Sequence, residues 1–158
     1  MQSDSVFVLA CLIGFVAGLR SLTAPAAVSW GARLGWLNLD GSPLAFMDST
    51  VALLSFSLLA LAEFGADLHP STPSRTRPGP LFARLTMGGL SGACLCAAAN
   101  RSLLAGATLG AVGALVGTFG GYQGRTRLVR ALGVRDRVVA VAEDLIAIVL
   151  AWCIVSWR

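Results

Sequence analysis

The chain has 158 residues, of which 56% are hydrophobic and only 13% charged, with a net charge of +4. A soluble domain carries about 25% charged residues, so this composition argues against an ordinary water-facing enzyme and against a disordered chain. It implies a polytopic membrane protein. A transmembrane helix takes about 20 mostly apolar residues, so residues 1–158 make a single transmembrane domain of four or five spans with no room for a soluble domain beside them.

The first apolar segment runs from about Ser5 to Ala32. Its start lacks the positive charge of a signal peptide, and the apolar run continues past Arg20, so it reads as a retained helix. Arg20 and Pro25, within LRSLTAPAA, interrupt it. Proline removes a helix hydrogen bond and disfavours helix at the residue before it, so the segment is one kinked helix or two half-helices. The second segment runs from about Asp48 to Gly65 and carries Glu63 near its end. Residues 66–80, ADLHPSTPSRTRPGP, hold four prolines and read as extended or turn-rich structure.

The third segment, about Leu81 to Ala99, has Arg84 near its start, and Asn100, Arg101 and Ser102 form a tight connection to the fourth, Leu103 to Tyr122. A basic stretch, GRTRLVRALGVRDR, leads to the fifth, Val138 to Trp157, which contains Glu143 and Asp144. The expected fold is an all-α bundle of about five spans with a broken first helix.

The positive-inside rule places the two arginine-rich loops on the cytoplasmic side of the membrane. One holds Arg75 and Arg77, the other Arg125, Arg127, Arg130, Arg135 and Arg137. Five spans then put the N-terminus inside and the C-terminus outside, whereas a re-entrant first segment flips the N-terminus. Trp30, Trp36, Trp152 and Trp157 suit an aromatic belt at the outer interface. The charge is thereby explained by topology and by anionic lipid headgroups, with no nucleic-acid partner.

Three short matches, GFVAG with GALVG, GARLG with VRALG and DSTVA with DRVVA, occur in the same order. Segments one and four would run in opposite directions, so a true repeat would be inverted, as in many transporters.

Gly106, Gly110, Gly113, Gly117 and Gly121 (or Gly120), then Gly124, recur at steps of three and four in segment four. Such a stripe lies on one helix face and permits close backbone approach. It serves helix packing within one subunit, or else a homo-oligomer interface or a narrow pore wall.

Charges inside the spans are costly in lipid and mark functional candidates. Arg20 lies deep in segment one, beside Ser21 and Thr23, where an anion could meet the helix break. Glu63, Asp67, Glu143 and Asp144 fall in the cytoplasmic half, as do Arg75, Arg84 and Arg125, so a buried charge cluster is expected there. It would lock the proline loop in place, or relay protons or ions. His69 is the only histidine, and Cys94 and Cys96 are not spaced as a CxxC pair, so no metal site and no cofactor are expected.

As a set, GLRSLTAPA (Gly18 to Ala26), E-x3-D-x-H-P-x2-P-x-R (Glu63 to Arg75), G-T-x-x-G-Y-x-x-R (Gly117 to Arg125) and E-D-x-x-A (Glu143 to Ala147) resemble an uncharacterised family of small bacterial integral membrane proteins, domain of unknown function 4126. The resemblance spans nearly the whole chain and implies one membrane domain, without an activity. Three readings remain: a transporter or channel for a small solute or ion, an enzyme acting on a lipid headgroup, and a non-catalytic membrane scaffold. The absence of a nucleophile constellation makes an enzyme the weaker choice. Five thin glycine-lined helices enclose little interior, which favours a homo-oligomer embedded among membrane lipids.

Overall fold

In lipid only a structure that satisfies its own backbone can persist, and every regular element among the described residues is helical. The computed structural model describes residues 3–67, 77–133 and 136–157. It contains α1 (Ser3–Leu19), α2 (Thr23–Arg33), α3 (Thr50–Asp67), α4 (Pro78–Ala98), α5 (Leu103–Leu132) and α6 (Asp136–Val155), with a short 3-10 helix, Ala45–Asp48, before α3. Pro78–Ala98, Leu103–Ala131 and Val138–Val155 are long and apolar enough to cross a membrane, and α1 and α3 contribute shorter apolar helices.

The first segment is thus two helices, separated by Arg20, Ser21 and Leu22. Pro25 sits in the first turn of α2, where a backbone N–H would have no helical partner anyway. The proline starts α2 and bends nothing. The same logic corrects the expectation that residues 66–80 are wholly non-helical. Pro78 and Pro80 lie in the first turn of α4, three residues before the expected start at Leu81. Likewise α5 does not stop at Tyr122. Its basic stretch stays helical to Leu132, where Gly133, at φ 60°, ends it in the left-handed conformation that glycine adopts without strain.

Contacts fix the helix directions. Arg84 of α4 reaches the end of α1, and Val6 and Ala10 cluster with Cys96, so α1 and α4 are antiparallel. Gly14 meets Gly110, and Gly18 meets Ala114 and Gly117, so α1 and α5 run the same way. The break lies beside Asp144, and Gly31 lies against Val155, so α2 runs with α6. Ser21 lies by Glu63 and Trp30 by Ser57, so α3 runs against α2. α2 therefore doubles back on α1 and returns part of the way, making a helical hairpin.

Two expectations change as a result. The N- and C-terminal helix ends lie together, since Ser5 and Trp157 line one apolar groove between α1 and α6, with a volume near 420 Å³. The opposite-ends arrangement of five simple spans does not hold. The matched pair GFVAG and GALVG sits on helices of the same direction, while DSTVA and DRVVA sit on α3 and α6, which oppose each other. No single symmetry operation does both, so the inverted repeat is withdrawn.

Burial is inverted relative to a soluble protein. Large apolar side chains such as Val51, Leu58, Leu104, Leu145 and Val149 are exposed, while Arg20, Arg84, Thr23, Ser29, Ser91 and Thr118 are buried. Such an apolar exterior suits acyl chains rather than water. Trp36 and Trp152 meet edge to face at 4.9 Å near the terminal end of the bundle.

The glycine stripe holds α1, α4 and α5 together. A Cβ on Gly110 would stand 2.2 Å from the Gly88 carbonyl oxygen, and one on Gly113 2.0 Å from that of Cys11. Gly106 abuts Gly92 and Cys96, and Gly117 abuts Phe15. The stripe is spent on packing within the subunit. Gly120 and Gly124 have nothing within 4 Å, and Gly121 is half-buried.

Gly110→Ala should lower stability by roughly 1–3 kcal/mol, since the backbones must separate. Gly120→Ala should be neutral or gain up to about 1 kcal/mol from helix propensity. Thermal unfolding in detergent measures both, and equal effects at the two positions would contradict the packing described.

Candidate functional site

A helix that ends inside an apolar layer leaves carbonyls or N–H groups without helical partners. The α1–α2 hairpin creates both kinds of end at one place. Polar side chains from four other helices converge on it.

At the end of α1, the Arg84 guanidinium donates through Nη1 to the carbonyl oxygens of Gly18 and Leu19, the latter at 2.9 Å. The Thr118 hydroxyl adds a longer contact to Gly18, at 3.3 Å, beside its own intrahelical bond to Ala114 at 2.7 Å. At the start of α2 the capping residue, Leu22, has no side-chain oxygen to offer. Glu63 of α3 serves instead. Its Oε1 accepts from the Ser21 N–H at 2.9 Å and the Ser21 hydroxyl at 2.6 Å, and its Oε2 accepts from the Leu22 N–H at 3.0 Å. Each charge matches the helix dipole it meets, cation at the C-terminal end and anion at the N-terminal end.

Between the two ends lies Arg20, wholly buried. Its Nε donates to Asp144 Oδ1 at 2.7 Å, Nη2 forms an ion pair with the same oxygen, and Nη1 donates to the Glu63 carbonyl at 3.1 Å. The guanidinium stands over the Phe64 ring, 4.9 Å from its centre. Next to Asp144 on α6, Glu143 faces Arg125 of α5 at a looser 3.8 Å. Three arginines thus oppose three carboxylates in one neighbourhood, with Arg20, Arg84 and Arg125 against Glu63, Glu143 and Asp144.

Of the residues singled out in sequence, Arg20, Ser21, Glu63, Arg84 and Asp144 meet at the break, and Arg125 and Glu143 pair beside it. Thr23 opens α2, buried, and its hydroxyl has no hydrogen-bond partner among the described residues. Asp67 closes α3, with its side chain outside the description. His69 and Arg75 lie outside the described residues, as does the proposed lock on the proline loop. Among the described residues no three metal-ligating side chains come together. Two contributors escaped sequence reasoning. Phe64 had no signal beyond its place next to Glu63. Thr118 stands inside the G-T-x-x-G-Y motif, where a hydroxyl in a glycine-rich face was a usable hint.

The chain belongs to the family described as Domain of unknown function (DUF4126), which it matches over residues 7–157. No curated protein and no solved structure matches it. The family assignment agrees with the apolar helical architecture of an integral membrane protein.

Removing one partner of a buried ion pair is costly because the other charge is stranded. Asp144→Asn should therefore destabilise the protein by roughly 3–5 kcal/mol. The double variant Arg20→Met/Asp144→Leu should recover most of that loss. Unfolding by sodium dodecyl sulfate reads these, and simple additivity of Arg20→Met and Asp144→Leu measured singly would contradict direct pairing.

Proposed function

We propose that this chain is a small membrane transporter or channel for a small solute or ion, held here in a closed state, with the α1–α2 break as its working point. The observation that carries this reading is the helical hairpin. Two opposed helix ends are buried together, and their charges are met by side chains of α3, α4 and α6. Discontinuous helices of this sort place binding groups within a bilayer without lipid-exposed backbone. Arg20 would handle the permeating species, and the Glu143–Arg125 pair would lie on its route toward the basic loops.

In this reading α3, α4, α5 and α6 cross the membrane, and the α1–α2 hairpin is re-entrant, entering from and returning to the side of the termini. The basic loops face the cytoplasm of a bacterial cell, and both termini face away from it. Tags fused to the two ends should respond alike to an impermeant protease in oriented vesicles, and opposite responses would overturn this topology.

A second reading, a non-catalytic scaffold, is favoured by two features: Arg20 is 0% exposed, and the cluster carries equal numbers of each charge. Flux separates the two. Vesicles containing the protein should pass at least one of chloride, formate, acetate, glycerol or protons faster than empty vesicles do. Asp144→Asn should change that rate at least tenfold in either direction. If no species moves faster than through lipid alone, the scaffold reading replaces transport.

A further inference from the structure

We infer that the start of α2 is a binding site for a small monocarboxylate, and that the Glu63 carboxylate fills it as a tethered stand-in. The inference rests on the transport reading for its purpose but not for its test.

The site is built from the turn, not from Glu63. The Ser21 N–H, the Ser21 hydroxyl and the Leu22 N–H all belong to the α1–α2 connection, and they bracket the two oxygens of one planar carboxylate at 2.6–3.0 Å. The N-terminal end of an eleven-residue helix adds its positive dipole end. The carboxylate that fills this cradle arrives from α3 on a side chain with three rotatable bonds, and the Glu63 side chain is only half-buried. Most buried helix starts are capped by the residue just before them. Here that residue is leucine, so the cap is delivered from another helix and can be withdrawn without unwinding α2.

A second observation points to a ligand seated deeper than the cap. The Thr23 hydroxyl, one residue further into the same turn, is 6% exposed and has no hydrogen-bond partner among the described residues. A buried hydroxyl left without a partner costs about 1–3 kcal/mol, so such groups usually have one in some state of the molecule. Glu63 uses the turn's other donors and leaves this one. A free carboxylate sitting slightly deeper could engage all four. It would also stay near Arg20, whose Nη1 already donates to the Glu63 carbonyl at 3.1 Å.

The chemistry defines the class. Two oxygens in one plane are held by donors only, which suits a carboxylate better than a spherical halide. A formate- or acetate-like body presents one such carboxylate, whereas the second carboxylate of a dicarboxylate has no donors in this turn. Exchanging the Glu63 carboxylate for a free one keeps a single negative charge against the turn, while the displaced Glu63 carboxylate, on a half-buried side chain, carries its own charge away from it.

The test is chemical rescue in detergent, with the full chain. Glu63→Ala removes the stand-in and leaves the turn. Sodium formate or acetate, at about ten times its Kd, should raise the melting temperature of Glu63→Ala by roughly 3–6 °C over sodium chloride at equal ionic strength. The rise should saturate with concentration. Wild type, whose own carboxylate still fills the cradle, should respond at least threefold less. Adding Thr23→Val to Glu63→Ala should weaken the formate response. If Glu63→Ala is recovered folded only when extracted in formate or acetate, the inference is supported. If it responds identically to formate, acetate and chloride, or aggregates equally in all three, the inference is overturned. Rescue without any flux in vesicles retires the transport reading and keeps the site. Flux without rescue does the reverse.

Discussion

Two backbone ends buried in an apolar layer impose the constraint on which the rest of this structure depends. A helix that stops within a membrane exposes carbonyls at one end and N–H groups at the other, and lipid can satisfy neither. The α1–α2 hairpin makes both ends at once. Arg84 and Thr118 answer the carbonyls, and Glu63 answers the N–H groups. Once Arg84 and Glu63 are committed in this way, Arg20 in the turn needs its own counter-ion, and Asp144 supplies it. Charges that look extravagant for a chain with so few are the ones the break demands.

The glycine contacts make that arrangement feasible. Arg84 reaches the α1 carbonyls only because α1, α4 and α5 approach backbone to backbone through Gly14, Gly88, Gly92 and Gly110. Such proximity also excludes lipid from the break, which strengthens each ion pair by lowering the local dielectric. The stripe on α5 and the charges at the break are therefore one design. Loosening the first would expose the second to lipid, where unpaired ends are most costly. This also explains why the stripe is consumed within the subunit and ends before Gly120 and Gly124, which have open space around them.

The sequence carried the composition argument, the number of apolar segments and most of the charge cluster, because charges inside apolar runs stand out against lipid. Arg20, Glu63, Arg84 and Asp144 could be picked without coordinates for that reason. Their partners could not. Whether Arg20 would meet Asp144 or Glu143 depends on a rotation of about 100° along α6, and nothing local to the ED pair sets it. The reversal at Ser21 was hidden by Pro25, which reads equally as a kink within a helix or as a residue in its first turn. The choice was made by Glu63, forty-odd positions away, capping the second helix. The overlong α5 was missed for a different reason. Arginines were read as the end of a membrane segment, yet a helix can leave the apolar layer and continue, and arginine is a good helix former.

The two acids on α6 tie these strands together. At the terminal end α6 is held by apolar packing, with Ala151, Ile154 and Val155 in the main core and Trp152 against Trp36. At the level of the break it offers adjacent carboxylates to arginines on two different parts of the fold, Asp144 to the hairpin turn and Glu143 to α5. An outward movement of α6 at that level must loosen both pairs together, since adjacent residues on one helix cannot move apart. Of the two, the Glu143–Arg125 pair is the looser, at 3.8 Å. Glu63 approaches the same turn from α3, the other helix outside the glycine-locked trio. The glycine-packed trio of α1, α4 and α5 thus forms a core against which α3 and α6 hold the break by charge. Any rearrangement at the break has to find new partners for Arg20 and for the start of α2 at the same moment. Under the proposed transport reading, a free anion entering the turn would partner both, so ligand entry and opening would be a single event.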